Sequence, residues 1–365
     1  MTNDARLLYR PGWRDRAYHW VTASWQAPEP HWALLPAGLA YGGMACLRRL
    51  ALEKFRPPRA VSAPVISLGN LTAGGSGKTP LCLALAQKLL ASRRRPAILS
   101  RGYGRVTKNT GQSLIVSRGQ GPLLPPLECG DEPWLLAASL PELRVVADAN
   151  RWRGAQTALE QLDADILILD DGFQQMSLNA DCRVLLLPAP SPLGNGLTLP
   201  AGPLREFPQA HRRADILVAT GSPSLTPELL KLAGGRPAFA ADYRPLGWRR
   251  LAENRLSPPE ALAGRRVMAF CGLGRPQNFE NSLLKLGLDI RRFVILRDHQ
   301  TYDRPLLDWL GLTFLACGAE ALVTTAKDAT KLPADFALPL LVLEMEMAVS
   351  QASEFYSAVL RIAEN

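Results

Sequence analysis

The stretch 65–81, V-I-S-L-G-N-L-T-A-G-G-S-G-K-T-P-L, constrains the fold of this chain more than any other. An apolar, β-branched run ends at Gly69, a glycine-rich loop follows, and a helix-forming stretch begins at Pro80. Proline suits a first helical turn because its missing N–H would have no partner there. A strand, a glycine loop and a helix in this order turn backbone N–H groups and the positive helix end toward a phosphate. The stretch therefore predicts a nucleoside triphosphate site in an α/β setting.

The loop supplies the predicted nucleotide contacts. Lys78 is placed to reach the outer phosphates, and the hydroxyl of Thr79 is placed to hold Mg²⁺. The pattern G-x-x-x-x-G-K-[ST] has Thr72 at its first glycine, which affects only the initial turn because later glycines remain. A chance match is the alternative, and the flanking strand and helix weigh against it. The assigned contacts are Thr72, Ala73, Gly74, Gly75, Ser76, Gly77, Lys78 and Thr79.

Composition limits the class of protein. The chain has 365 residues, of which 47% are hydrophobic, and this is enough for two domains with real cores. No run approaches the roughly 18 to 20 apolar residues that a membrane-spanning helix needs. The six cysteines are scattered without a CxxC pair, which is typical of reduced thiols in a cytoplasmic protein. A formal charge of +9 favours an anionic partner, whether nucleic acid, a phosphorylated substrate or an acidic membrane surface.

The first sixty residues differ from the rest. They hold four of the eight tryptophans, and residues 32–47 carry no charge. A basic stretch follows this apolar segment, from Arg48 to Arg59. An aromatic, apolar helix with a basic flank is typical of a segment that lies in the interface of an anionic leaflet. A helix packed on the core by its apolar face explains the segment equally well.

From residue 64 onward, short apolar runs alternate with helical stretches. This alternation predicts a mostly parallel sheet covered by helices on both faces. We assign residues 1–60 to the N-terminal segment, 61–255 to a phosphate-loop domain and 256–365 to a smaller α/β domain, with 256–264 as a linker. The predicted strands of the first domain are 65–68, 97–100, 144–147, 166–169, 184–187 and 216–219. Those of the second are 267–270, 293–296, 322–325 and 340–343.

Acidic residues follow the strand 166–169. An apolar strand that delivers Asp170 and Asp171 opposite a phosphate loop is typical of a carboxylate that binds Mg²⁺ or its water shell. The alternative is a simple strand-to-turn boundary. A second acidic pair, Asp131 and Glu132, precedes a helix, where helix capping by Asp131 is the competing explanation. The predicted metal ligands are Thr79, Asp170, Asp171 and Glu132.

Basic and amide side chains on glycine-rich turns are the predicted substrate contacts. Arg101 and Arg105 flank the turn S-R-G-Y-G-R, and Arg205 lies in L-P-A-G-P-L-R-E, where pairing with Glu206 is the alternative. Gln174 follows the acidic pair. Among four histidines, His299 alone directly follows a strand end with an acidic neighbour, which makes it the best placed partner of a general base.

Eight motifs in one order give these residues a common context. They are L-T-A-G-G-S-G-K-T-P, L-S-R-G-Y-G-R, G-D-E-P, L-D-D-G-F-Q, L-P-A-G-P-L-R-E, C-G-L-G-R-P, D-H-Q-T-Y and T-T-A-K-D-A-T-K. Together they resemble the tetraacyldisaccharide 4'-kinase family over nearly the whole chain. The resemblance implies ATP- and Mg²⁺-dependent phosphorylation of a lipid A disaccharide precursor at the cytoplasmic face of the inner membrane. It also implies a P-loop domain joined by a strand linker to a smaller α/β domain, with the N-terminal helix as the membrane contact.

The resemblance also implies roles for single residues. Asp131 and His299, on different predicted domains, match an Asp–His pair that activates the sugar hydroxyl, and Lys78 and Asp171 complete the catalytic set. Neither nucleic acid nor an obligatory protein partner is expected.

Three positions depart from the family pattern: Gln175 stands where a histidine is usual, Ala180 where an arginine is usual, and Ala326 where a glutamate is usual. Gln175 keeps hydrogen-bonding capacity but cannot carry a proton charge. The alternatives are a P-loop kinase of another sugar or cofactor and a nucleic-acid-dependent ATPase.

Overall fold

The computed structural model describes residues 6–9, 21, 22, 25, 32–74, 77–103, 105, 111–251, 253, 255–297, 300–333, 336 and 338–364. The strands are β1 (Arg6–Leu8), β2 (Val65–Asn70), β3 (Pro96–Ser100), β4 (Leu114–Arg118), β5 (Arg144–Ala147), β6 (Ile166–Asp170), β7 (Cys182–Pro188), β8 (Ile216–Thr220), β9 (Ala238–Arg250), β10 (Leu256–Ser257), β11 (Arg266–Cys271), β12 (Asp289–Ile295), β13 (Ala321–Thr325) and β14 (Leu340–Val349). The helices are α1 (Leu35–Phe55), α2 (Lys78–Ala91), α3 (Pro126–Cys129), α4 (Asp131–Ser139), α5 (Arg151–Leu162), α6 (Pro227–Ala233), α7 (Pro276–Lys285), α8 (Arg304–Cys317), α9 (Ala326–Ala329) and α10 (Ala352–Ala363). The predicted α/β class is confirmed.

The larger of two compact units comprises residues 12–242 and 347–365. Its strand order is β9-β8-β7-β2-β6-β3-β5-β4, and every pair is parallel except the antiparallel pair β4 and β5. Every residue of β2, β3, β6 and β8 is buried. Burial on both faces explains why these strands are continuous apolar runs in the sequence. The phosphate-loop strand β2 lies inside the sheet, between β6 and β7.

The smaller unit comprises residues 1–11 and 243–346. Its parallel strands follow the order β1-β12-β11-β13-β14. Alternate residues of β11 serve two cores: Val267 packs with Leu283 of α7, and Met268 packs with Leu310 of α8. The period of two along the strand thus covers both faces of this sheet with helices.

Two strands each contain a point at which the chain passes from one unit to the other. Besides the division after residue 11, the divisions fall between Asp242 and Tyr243 in β9 and between Glu346 and Met347 in β14, whereas the predicted boundary followed residue 255. Because the chain passes from one unit to the other without leaving a strand, loop composition does not signal the change. The predicted linker 256–264 instead forms β10 and a 3₁₀ turn, Pro259–Leu262.

Helix α1 packs through a narrow glycine stripe. A β-carbon on Gly38 would lie 2.9 Å from Cβ of Ala201, and one on Gly42 would lie 2.7 Å from the ring of Phe207. The remaining apolar side chains are mostly exposed, among them Leu39, Met44, Leu47, Leu50 and Phe55. The helix therefore approaches the larger unit closely while leaving an apolar surface uncovered. None of the helices in the described part of the chain has the length and apolarity that crossing a bilayer requires.

Candidate active site

Glycine conformation shapes the end of the phosphate loop. Gly74 and Gly77 have φ of +96° and +80°, values that residues with a β-carbon rarely adopt. The amide of Ala73 donates to the carbonyl of Pro203 over 2.7 Å, which ties the loop to the segment preceding Arg205. Helix α2 then begins at Lys78, two residues before the predicted start at Pro80, so Lys78 and Thr79 belong to its first turn.

Two side chains hold the amine of Lys78. Its Nζ donates to Oδ1 of Asn70 over 3.1 Å and lies 3.3 Å from Oδ1 of Asp171. Asn70 is fully buried, and its Nδ2 donates to the carbonyl of Thr72 over 2.8 Å. Asn70 thus joins the strand end, the loop and the lysine. The sequence analysis did not assign Asn70, although a polar residue that ends a fully buried strand is a usable signal.

Asp170 and Asp171 have opposite electrostatic surroundings. Burial raises the pKa of Asp171, but the charges of Lys78 and Arg205 outweigh burial and hold this pKa below its usual value. Nη1 of Arg205 lies 3.0 and 3.2 Å from the two carboxylate oxygens of Asp171. Burial, with the nearby charges of Glu132 and Asp171, raises the pKa of Asp170 to about 7. Asp171 is therefore an ionised carboxylate paired with cations. Asp170 is a buried carboxylate whose neighbouring positive charges are too weak to keep its pKa low.

The backbone of this acidic loop is also constrained. Asp171 has φ of +53°, unusual for a residue other than glycine. A β-carbon on Gly172 would lie 2.4 Å from Oγ of Ser67, so only glycine fits after the acidic pair. Arg151, which is 3% exposed, donates through Nη2 to the carbonyl of Asp170 over 3.2 Å. Burial lowers the pKa of Arg151 to about 10 even though Asp170 raises it. The sequence analysis also missed this arginine.

The donors around Asp170 fit a divalent cation. Within the described residues, no group of three His, Cys, Asp or Glu side chains could hold a metal by itself. Mg²⁺ commonly uses one or two carboxylates together with substrate phosphates and water, so a complete protein cage is not needed. Burial, together with the negative charge of Glu132, raises the pKa of Asp170, and a bound cation would favour the ionised carboxylate there.

Asp131 is the first residue of helix α4, and Gly130 occupies the capping position. The capping explanation for Asp131 therefore does not hold in its simple form. Gly130 has φ of +98°, and a β-carbon there would lie 2.8 Å from the carbonyl oxygen of Tyr103. Asp131 is half-buried and next to Glu132, whose charge acts on Asp170. The helix start thus places Asp131 directly before a residue whose charge reaches Asp170.

The four predicted substrate contacts have different surroundings. Arg101 is exposed, whereas Nη1 of Arg105 donates to the carbonyl of Ala147 over 3.3 Å. Gln174 donates to the carbonyl of Asn70 over 2.9 Å. Arg205 binds Asp171 rather than its neighbour in the sequence, and Glu206 instead binds Arg213 over 2.8 Å. The local-pairing alternative for Arg205 is therefore wrong. Gly75, Ser76 and His299 lie outside the described residues.

Comparisons with known proteins decide the family. The family model described as LpxK, tetraacyldisaccharide-1-P 4'-kinase, matches residues 30–364. The tetraacyldisaccharide 4'-kinase of Geobacter sulfurreducens is 41% identical over 86% of this chain and 88% of its own length. The enzyme of the same name from Syntrophus aciditrophicus is 40% identical over 85% of this chain and 86% of its own length. This chain belongs to that family.

A solved kinase of the family also matches the fold. The crystal structure described as an "apo" form of LpxK from Aquifex aeolicus in complex with ATP has a TM-score of 0.72 and 33% identity. The match covers 91% of this chain and 98% of the Aquifex chain. The family, the fold and the kinase activity that the eight motifs predict are thereby confirmed.

The departures from the family pattern have structural roles here. Oε1 of Gln175 accepts from the amides of Ser177 and Leu178, and its Nε2 donates to the carbonyl of Leu178 over 2.6 Å. Gln175 thus folds the loop after the acidic pair without needing a charge, as its hydrogen-bonding capacity predicts. Ala180 is buried in a core cluster, and Ala326 begins helix α9.

The motif T-T-A-K-D also holds the smaller unit together locally. Asp328 is fully buried, and its Oδ2 accepts from the amide of Gly272 over 3.0 Å and from the hydroxyl of Thr325 over 2.7 Å. These bonds tie the loop after β11 to the start of α9. Position 326 contributes no atom to either bond, so alanine there leaves this connection intact.

Proposed function

We propose that this protein transfers the γ-phosphoryl group of ATP to the 4'-hydroxyl of tetraacyldisaccharide 1-phosphate, giving the 1,4'-bisphosphate of lipid A biosynthesis. The observation that carries the proposal is the placement of Lys78 between Asn70 and Asp171 at the carboxyl ends of β2 and β6. This is where an open α/β sheet binds ligands. The names of the relatives support the acceptor, and the ATP complex of the Aquifex protein supports the donor.

Lys78 supplies the charge that the reaction needs. Phosphoryl transfer proceeds mainly through positioning and through neutralisation of the oxygens of the transferred group. An ammonium already fixed by two partners loses little freedom when phosphates arrive, so it stabilises charge without reorganisation. Asp171 and Arg205 contribute to this arrangement, because Asp171 positions both the amine of Lys78 and the guanidinium of Arg205.

Thr79, Asp170, Asp171 and Glu132 would hold Mg²⁺ together with the nucleotide phosphates. Bound there, the ion supplies positive charge to the phosphate oxygens. This chain's part is to keep Asp170 dry and close to Glu132. The buried Arg151 fixes the carbonyl of Asp170 and so orients the residue.

Asp131 is the proposed general base. A carboxylate at the first position of a helix, directly after Gly130 with its positive φ, is a hydrogen-bond acceptor on a well-defined backbone. It would accept the proton of the sugar hydroxyl as the phosphorus–oxygen bond forms. The family resemblance assigns His299 as its partner. Arg101, Arg105, Gln174 and Arg205 are proposed to contact the substrate, and Arg101 is the exposed member of this set.

Helix α1 is the proposed membrane contact, at the cytoplasmic face of the inner membrane. Its exposed apolar residues, such as Leu47 at 68% exposure, accompany exposed basic residues at Arg48, Lys54 and Arg56. Apolar burial and attraction to anionic headgroups together favour binding parallel to a bilayer surface. An acceptor with four acyl chains resides in that surface, so this contact brings enzyme and substrate together.

The test is the transfer of labelled γ-phosphate from ATP to tetraacyldisaccharide 1-phosphate in detergent. Asp131→Asn should lower the transfer rate by about 10²- to 10⁴-fold, the usual contribution of a positioned base. Glu128→Gln, in the neighbouring helix α3, serves as the matched control and should transfer normally. ATP hydrolysis without transfer would overturn the lipid acceptor. Stimulation of that hydrolysis by DNA would favour the nucleic-acid-dependent ATPase.

A further inference from the structure

A polar cavity lies apart from the contacts of Lys78. Its volume is about 200 Å³. Three arginines from separate parts of the larger unit line it: Arg49 of α1, Arg183 of β7, and Arg213, which ends a 3₁₀ turn. None of the described phosphate-loop residues lines it, and neither do Asp170 and Asp171. We call this space the arginine cavity.

Charge in the arginine cavity is only partly balanced. Arg49 pairs with Glu53 over 2.7 Å, and Arg213 pairs with Glu206 over 2.8 Å. Arg183 differs, because in the described residues its guanidinium bonds only the neutral amide oxygen of Asn179, over 3.3 Å. Its positive charge thus lacks an ionic partner among those residues. A half-buried, uncompensated guanidinium beside two others favours an anion.

The shape of the cavity limits the anion. Phe173, Leu178 and Ala180 contribute apolar walls beside the arginines. The volume lies below the usual range of about 300–1,000 Å³ for small-molecule pockets, so it suits one phosphate with a short apolar attachment rather than a nucleotide. Arg49 lies on the packing side of α1, while the neighbouring Arg48 and Leu50 are exposed. Arg49 and Glu53 of the cavity lining therefore belong to the helix that carries the uncovered apolar surface.

We propose that the arginine cavity binds the phosphate group of an anionic glycerophospholipid, an inference that rests on the proposed membrane contact of α1. Headgroup phosphates of the leaflet meet the protein beside α1, where Arg49 and Arg183 receive them. The guanidinium of Arg213 stacks on the ring of Phe173 at 4.6 Å, and Phe173 follows the acidic loop by two residues. The phosphate would thus be bound close to the loop that carries Asp170 and Asp171. Its binding would orient the protein on the membrane surface.

Vesicle binding with charge-matched variants tests this proposal. Arg183→Gln and Arg49→Gln remove cavity charges, and Arg118→Gln and Arg93→Gln remove equal charges from exposed positions outside both the cavity and α1. Each is measured by co-sedimentation with phosphatidylglycerol-containing vesicles and with neutral phosphatidylcholine vesicles at one ionic strength. We expect about tenfold or greater loss of affinity for the anionic vesicles in each cavity variant, and a clearly smaller loss in each control.

Equal losses in cavity and control variants would overturn the proposal, since general attraction would then account for the binding. Inorganic phosphate provides a second arm, measured by its effect on thermal unfolding. Stabilisation by phosphate that needs Arg183, with vesicle affinity independent of Arg183, would identify a free-phosphate site and overturn the lipid assignment. Circular dichroism of each variant confirms folding, and Arg49→Gln decides the question if Arg183→Gln unfolds.

The proposed kinase function is tested independently of the arginine cavity. Transfer to the acceptor in detergent, measured with the unaltered protein, reports on that function alone. Absence of transfer would remove the kinase assignment while the vesicle comparison still tests the cavity. Failure of the unaltered protein to bind either kind of vesicle would remove the membrane contact and, with it, this inference.

Discussion

Replacing Asn70 by alanine tests how the phosphate-loop lysine is positioned. Asn70→Ala removes two side-chain hydrogen bonds, to Nζ of Lys78 at 3.1 Å and to the carbonyl of Thr72 at 2.8 Å. A hydrogen bond to a charged group contributes about 1.5–3 kcal/mol and a neutral one about 0.5–1.5 kcal/mol, so we expect a loss of about 2–4.5 kcal/mol in unfolding free energy. Lys78 keeps Asp171 at 3.3 Å and therefore stays near the site.

The effect on catalysis follows from the lysine bond alone. If its full contribution is expressed in the transition state, kcat/KM for ATP falls by about 10- to 100-fold. Phosphate transfer is assayed beside urea unfolding, so that lost activity is compared at equal folded fraction. Asn195→Ala is the matched control, because the side chain of Asn195 also makes two hydrogen bonds, both with backbone atoms, of Ala201 and Leu197, and neither involves Lys78. A folded Asn70→Ala protein with unchanged kcat/KM for ATP would refute this reasoning.

Three further predictions concern stability. The carboxylate of Asp148 is buried and accepts two hydrogen bonds from Arg153, and these bonds outweigh burial and lower its pKa. A lowered folded pKa contributes stability above about pH 4 that is lost as pH falls through it, so Asp148→Asn should cost about 2 kcal/mol at pH 7 and less at pH 3. Urea unfolding that shows the same cost at both pH values would contradict this. Gly69→Ala places a β-carbon 2.5 Å from Cβ of Phe173 and should lower the unfolding free energy by about 1–3 kcal/mol, whereas an unchanged urea midpoint would exclude the clash. Gln175→Ala should speed hydrogen exchange at the amides of residues 177 and 178, which donate hydrogen bonds to the side chain of Gln175. Unchanged exchange at these amides would show that the loop keeps its structure without those bonds.

The parallel core was predictable because of its burial. Strands such as β2 and β6 are covered on both faces, so each is an uninterrupted apolar run that the sequence reveals directly. The edge strand β1 was not predictable, since three residues carry no periodic signal and its pairing depends on the distant β12. That helix α10 belongs to the larger unit was not predictable either, because more than a hundred residues of the smaller unit separate it from the rest of the larger unit in the sequence.

The acidic and glycine-rich parts of the site were predictable from motif order. Asn70 and Arg151 were not assigned, because a buried polar side chain is recognised by its partners, and those partners lie elsewhere in the chain. Electrostatic asymmetry between Asp170 and Asp171 also follows from tertiary contacts, since Arg205 and Glu132 come from distant segments. The sequence therefore indicates which side chains gather, while the fold decides which of them are charged and held.

The position of the new phosphate on the product tests the central claim most directly. The lipid formed from ATP and tetraacyldisaccharide 1-phosphate would be isolated and examined by phosphorus–proton correlation NMR. We predict a second phosphate coupled to the 4' proton of the distal sugar, with the original 1-phosphate unchanged. A phosphate at another hydroxyl, or free phosphate with unmodified lipid, would contradict it.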